Sequence, residues 1–212
     1  MKGIAPGTSD TQNLVNESTH VVRMIEAEPS FASLLQGAKG IFIVPKYREG
    51  ARGSTGVLVI QHGTAWTDPA FLDVGAIKLR PNASGSGATV LLPMDQQAVN
   101  TFENPNTFSI EAWQPVGISK SVDVCQISKT LRRESCPGPA KFERYTGYGS
   151  SNIVVWTDIS GYYPGGSVNV TGIRWDRPDN QAYYGRNVRL APILGGATNN
   201  AGAKSLKHAL PG

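Results

Sequence analysis

The chain has 212 residues, 40% apolar and 17% charged, which suits one domain with a sizeable core and leaves too little charge for a disordered chain. Its net charge of +4 is compatible with attraction to an anionic membrane surface but too modest to argue for nucleic acid, and no Lys/Arg block or RNA-recognition motif adds to it. No apolar run approaches the roughly 18–20 residues that span a bilayer, and 24 glycines with 14 prolines punctuate short apolar runs, which favours short strands and turns.

Residues 1–9 read as a flexible start. MKGIAPGTSD has no apolar h-region and is not an intact signal peptide; it is compatible with the start of a mature exported protein and with a cytosolic chain. A helix is predicted from about Asp10 to Ala27, with Ser9 and Gln12 matching a capping box and Leu14, Val15, Val21, Val22 and Ile25 on one broad face. Pro29 is expected to end it and Ser30 to cap a short helix carrying Phe31, Leu34 and Leu35, stopped near Gly37.

From Gly40 the pattern changes to strands. GIFIV and GVLVI (Gly56–Ile60) are continuous apolar runs, short enough for buried strands, joined by the polar PKYREGARGST. Phe71 to Leu79 partly alternates, Ala88 to Leu92 leads into Pro93 and a short helix from Asp95 to Thr101, and Phe108–Trp113, Ile153–Thr157 and Ser167–Trp175 read as further strands. Short turns favour antiparallel pairing, and the interleaved glycines allow strong bending. The fold class expected is α+β: a strongly curved, mainly antiparallel, barrel-like sheet with N-terminal helices and a short C-terminal helical cassette.

Residues 119–150 read as an insertion containing Cys125 and Cys136, the only cysteines. They flank ten residues that can close as a loop, and in an oxidising compartment a disulfide there would stabilise by up to about 3 kcal/mol; in a cytosolic chain they are two unrelated thiols. The cassette runs from Asp176 to Gly196. Asp176 suits an N-cap, Pro178 the first helical turn and Gly185 the left-handed stop, followed by Arg186, Arg189 and a second short helix ending at Gly195-Gly196. Residues 197–212 are small and polar and read as a mobile tail.

Catalytic chemistry finds little support. His20, His62 and His208 have neither metal-ligand spacing nor an evident partner. No nucleophile elbow, phosphate loop or dinucleotide fingerprint is present. Asp68, Asp73 and Asp158 are the acids to watch, each expected to serve a turn or cap. Neither a cofactor nor a metal is expected.

AKGIFIVPK (Ala38–Lys46), the strand GVLVI, Trp66-Thr67-Asp68-Pro69-Ala70-Phe71, IVVWTD (Ile153–Asp158), Gly161-Tyr162-Tyr163-Pro164-Gly165-Gly166 and Tyr183-Tyr184-Gly185-Arg186 follow one another in an order that resembles the SYLF lipid-binding domain family, over roughly Thr11 to Gly196. AKGIFIVPK and YYGRNV are the specific parts. The resemblance implies a single non-enzymatic domain over residues 10–196 that binds anionic phospholipid or another envelope lipid, exported to the periplasm or outer membrane. Some family members also bind actin, but no Lys-rich amphipathic N-terminal segment or SH3 domain is visible here, so actin is not expected.

A headgroup needs cations and an acyl boundary needs apolar or aromatic surface. Lys46, Arg48 and Arg52 lie between two strands; Lys78 and Arg80 alternate on a third; Trp66 and Phe71 bracket a Pro-bearing turn. These seven are the lipid-binding candidates. Tyr183, Tyr184, Gly185 and Arg186 are expected to be structural, the Tyr184 ring on the sheet and the Arg186 guanidinium on carbonyls or a carboxylate. A protein-interaction module and an uncharacterised hydrolase are the alternatives.

Overall fold

In a computed structural model, the described residues are 6–48, 53–80, 85–103, 106–113, 145–146, 152–159 and 167–212. Two helices, α1 (Pro6–Glu26) and α2 (Pro29–Gly37), precede six strands: β1 (Gly40–Arg48), β2 (Ser54–His62), β3 (Ala65–Trp66), β4 (Ala70–Val74), β5 (Ala76–Arg80) and β6 (Ser86–Pro93). Then come α3 (Gln96–Glu103), β7 (Phe108–Trp113), β8 (Tyr145–Thr146), β9 (Asn152–Thr157) and β10 (Ser167–Trp175), followed by α4 (Arg177–Tyr184), α5 (Leu190–Leu194) and α6 (Lys204–Ala209). The expected α+β class holds. The strands form one curled antiparallel half-barrel in the order β5-β10-β4-β2-β1-β6-β9-β8, with β3 on β2 and β7 on β10.

The continuous apolar runs have a direct cause: both faces of the sheet are buried. Phe42 and Val44 of β1, Leu58 and Ile60 of β2, Leu72 of β4 and Leu91 of β6 enter an inner core closed by α3 and α5. Their alternating neighbours Ile41, Ile43, Val57, Val59, Phe71 and Val90 enter an outer core beneath α1, α2 and α6. A strand covered on both sides loses the polar alternation that marks a half-exposed sheet.

Curvature comes from paired glycines. Gly75 separates β4 from β5, and Gly172, at φ +69°, bends β10 opposite it. A Cβ on Gly172 would lie 3.2 Å from the Gly75 Cα, so the two backbones approach as only glycines allow. Beyond this corner β10 leaves β4 and pairs with β5 and β7.

Three expectations need correction. The first helix starts at Pro6, not Asp10, which places Ser9 inside the first turn rather than at a cap. Pro29 opens α2, with Glu28 as the residue before it, so Ser30 is not its cap; proline suits a first helical position because its missing N–H has no partner there anyway. Most importantly, residues 197–212 are not a mobile tail. Ala203, Leu206, Ala209 and Leu210 are buried, the last three in the outer core, where α6 packs on α1. The period that buries them is only two turns long, too short to stand out from polar neighbours.

Candidate functional site

The stretch Trp66–Phe71 and the C-terminal cassette meet in space. Asp176 caps α4, its carboxylate accepting the Asp179 amide at 2.9 Å, and Gly185 ends the helix in the left-handed conformation at φ 64°. Asn180, one turn in and fully buried, takes both backbone groups of Phe71: its Oδ1 accepts the Phe71 N–H at 3.0 Å and its Nδ2 donates to the Phe71 carbonyl at 2.7 Å. Trp175 is the last β10 residue paired with β4, so Asn180 satisfies the β4 backbone beyond the point where the strand ladder stops. Nothing in the sequence pattern singles it out.

The tyrosines extend the same clasp. Tyr183 packs its ring 5.1 Å from both Phe71 and Tyr184, and the Tyr184 hydroxyl donates to the Pro69 carbonyl at 2.6 Å. Burial, with the Asp68 charge adding to it, pushes both phenols well above the ordinary tyrosine range, so both stay neutral. Arg186 departs from expectation: it is exposed and makes no ion pair among the described residues.

The tail closes on the other side of Trp66–Phe71. Asp68 has no exposed surface; its carboxylate accepts the Lys207 ammonium at 3.0 Å and the Asn200 amide at 2.7 Å. The Trp66 indole donates to the Pro211 carbonyl at 2.6 Å, and Gln12 of α1 donates to the Gly202 carbonyl at 3.1 Å. Trp66 and Phe71, both candidates for membrane-facing aromatics, are therefore core residues. Asp73 pairs with Arg174 at 3.0 Å, and Asp158 accepts the Ala88 amide at 2.6 Å. Each watched acid has a structural partner.

The basic candidates lie on separate strands. Arg48 stands opposite Ser86, Ser54 opposite Val74, and Arg80 opposite Ser167. The C-terminal ends of β1 and β4 lie at the same end of the sheet, β5 continues from β4 past Gly75 alongside β10, and Arg52 falls in the β1–β2 connection, outside the described residues. Lys46 and Arg48 lie within β1 rather than in a loop. A register shift between Val44 and Tyr47 resets the phase, so that Tyr47 joins Phe42 and Val44 inside while Lys46 faces out, 78% exposed, and pairs with Glu17 of α1. A bulge re-aims a side chain in this way, and Pro45 suits it because it has no ladder N–H to lose. Lys78 is exposed between the buried Ile77 and Leu79. Cys125, Cys136 and the 160–166 turn lie outside the described residues, as does most of the 119–150 segment.

Among the described residues no three His, Cys, Asp or Glu side chains come together as a metal site, and no helix is long and apolar enough to cross a membrane. A family model described as "Ysc84: Las17-binding protein actin regulator" matches residues 86–212. The match runs through α6 to the C-terminus, past Gly196. No curated protein and no solved structure matches.

Proposed function

The chain belongs to the Ysc84, or SYLF, family, and from that premise we propose that it is a non-enzymatic peripheral lipid-binding protein that meets an anionic bilayer with the exposed cations of its half-barrel. The observation that carries this reading is that Lys46 of β1 and Lys78 of β5 are exposed on otherwise buried strands, each two residues before an arginine position, Arg48 and Arg80. Cations on a rigid sheet attract phosphate without the entropic cost of ordering a loop. Anionic phospholipid is the proposed ligand class, and the cell envelope its proposed setting. The family description names a protein, Las17, and actin regulation; a protein-interaction module is the second reading.

Co-sedimentation with phosphatidylcholine vesicles, with and without phosphatidylglycerol, tests this. The chain is expected to pellet with the anionic vesicles and to be released by salt, since exposed charges are screened within about 8 Å at physiological ionic strength. K46E/R48E/K78E should weaken binding roughly tenfold or more. Absence of binding to either vesicle would sink the lipid reading and favour the protein partner; unchanged affinity in the triple variant would move the site away from these cations.

A further inference from the structure

The net charge of the chain is distributed in a way that the fold makes meaningful. All 16 acidic residues precede Asn180, whereas four of the 20 Lys and Arg follow it, so the excess of +4 belongs entirely to residues 180–212. Of those four, Lys207 is committed to Asp68 and Lys204 is exposed on α6. Arg186 and Arg189 remain, both exposed, on the connection between α4 and α5.

That connection lies beside half-buried apolar side chains. Trp175 is directly opposite Leu72 of β4, and directly opposed residues share a face of a sheet. Leu72 belongs to the inner core, as do Val188, Ile193 and Leu194 around α5, which packs on β2 and β4. Trp175, Tyr184 and Leu190 all pack against this core while keeping part of their surface in solvent, and Ala191 and Pro192 are exposed. The segment therefore presents a tryptophan before α4, and after it a tyrosine and a short apolar turn that adjoin two guanidinium groups along the chain. Nearby acids are accounted for. Beside Trp175, Asp176 is buried as the α4 cap, Asp73 pairs with Arg174 and Asp179 accepts the Thr55 hydroxyl at 3.2 Å; near α5, Asp95 caps α3 by accepting the Ala98 amide at 2.8 Å, and Glu103 ends that helix.

We propose that the Trp175–Pro192 segment is a second membrane-contact surface, in which Arg186 and Arg189 meet the phosphates of an anionic bilayer while Trp175 and Leu190 enter the headgroup–acyl boundary. Amphipathic rings favour that boundary because one end is apolar and the other wet, and an arginine fork matches phosphate geometry better than a point charge does. This inference rests on the lipid-binding reading. It adds to the exposed cations of β1 and β5 a patch that carries apolar as well as ionic attraction.

Two measurements on the full chain test it with phosphatidylcholine–phosphatidylglycerol vesicles. R186Q/R189Q should weaken sedimentation roughly tenfold or more, and in the unsubstituted chain vesicles carrying brominated acyl chains should quench tryptophan fluorescence. In a Trp113→Phe background, W175F should abolish the quenching, because the remaining Trp66 and Trp156 are buried; circular dichroism and thermal melting establish that the variants remain folded. Vesicle binding that persists unchanged in R186Q/R189Q, or quenching that survives in W113F/W175F, overturns this surface and leaves the lipid reading standing. No binding by the unsubstituted chain overturns both.

Discussion

Asp176 is asked to cap a helix while nearly buried. Burial pushes its carboxyl from 3.8 up to about 7; the Asp179 amide works against this rise, and the Asp73 and Asp179 carboxylates add to it. Between those two pH values the folded chain holds a proton that the unfolded chain releases. Stability contributed by this group is therefore greatest at low pH, falls as pH rises from about 4 to about 7, and then levels. Asparagine caps equally well and carries no charge, so D176N should flatten this part of the curve and gain on the parent chain as pH rises. Urea denaturation at about pH 4 and pH 8 checks it; parallel losses in the two proteins would mean the carboxyl ionises normally in the fold. Asp68 poses the opposite case, a buried charge with a partner. Lys207→Met leaves that carboxylate with the Asn200 amide alone. We expect a cost of about 2 kcal/mol, below the roughly 3–5 typical of fully buried pairs because the Lys207 side chain is 31% exposed. In the double variant with Asp68→Asn part of this loss should be recovered; additive losses in a double-mutant cycle would refute the pairing.

At the scale of elements, α6 carries the sharpest consequence. A mobile tail would tolerate substitution within about 0.5 kcal/mol. Leu206 is instead fully buried between α1 and the outer core, so Leu206→Ala should cost about 3 kcal/mol in chemical denaturation. A change near zero would restore the mobile tail. The same contrast separates the two signature segments by role. Trp66–Phe71 is a spine whose backbone and side chains hold Asn180, Tyr184, Lys207 and Pro211, which is why Phe71 and Trp66 are unavailable to lipid. The cassette, by contrast, has one face in the clasp and another in solvent. Its tyrosines pack on Phe71 and bond Pro69, while Arg186 and Arg189 are exposed.

Across the whole molecule, the half-barrel separates folding work from surface work. Both sheet faces are consumed by cores, so binding chemistry is left to strand ends and helix corners. That follows from the apolar runs GIFIV and GVLVI, whose length and lack of polar alternation mark them as buried strands in the sequence itself. The α4 cap, its left-handed Gly185 stop and the antiparallel curvature are equally legible there, since capping, proline and glycine preferences act within a few residues. Lys78 reads as solvent-facing from alternation alone. Lys46 does not, because the bulge after Val44 resets the phase by one residue and nothing local announces it. The role of Asn180 and the burial of Asp68 are hidden for a different reason: their partners lie more than 100 residues away. Local chemistry thus determined the elements, their breaks and the family likeness. Only the tertiary closure decided which polar groups pair, that the last sixteen residues pack into the fold through Ala203, Leu206, Ala209 and Leu210, and that the uncompensated charge of the C-terminal stretch faces outward at Arg186 and Arg189, because burial and charge pairing are properties of neighbours in space rather than along the chain.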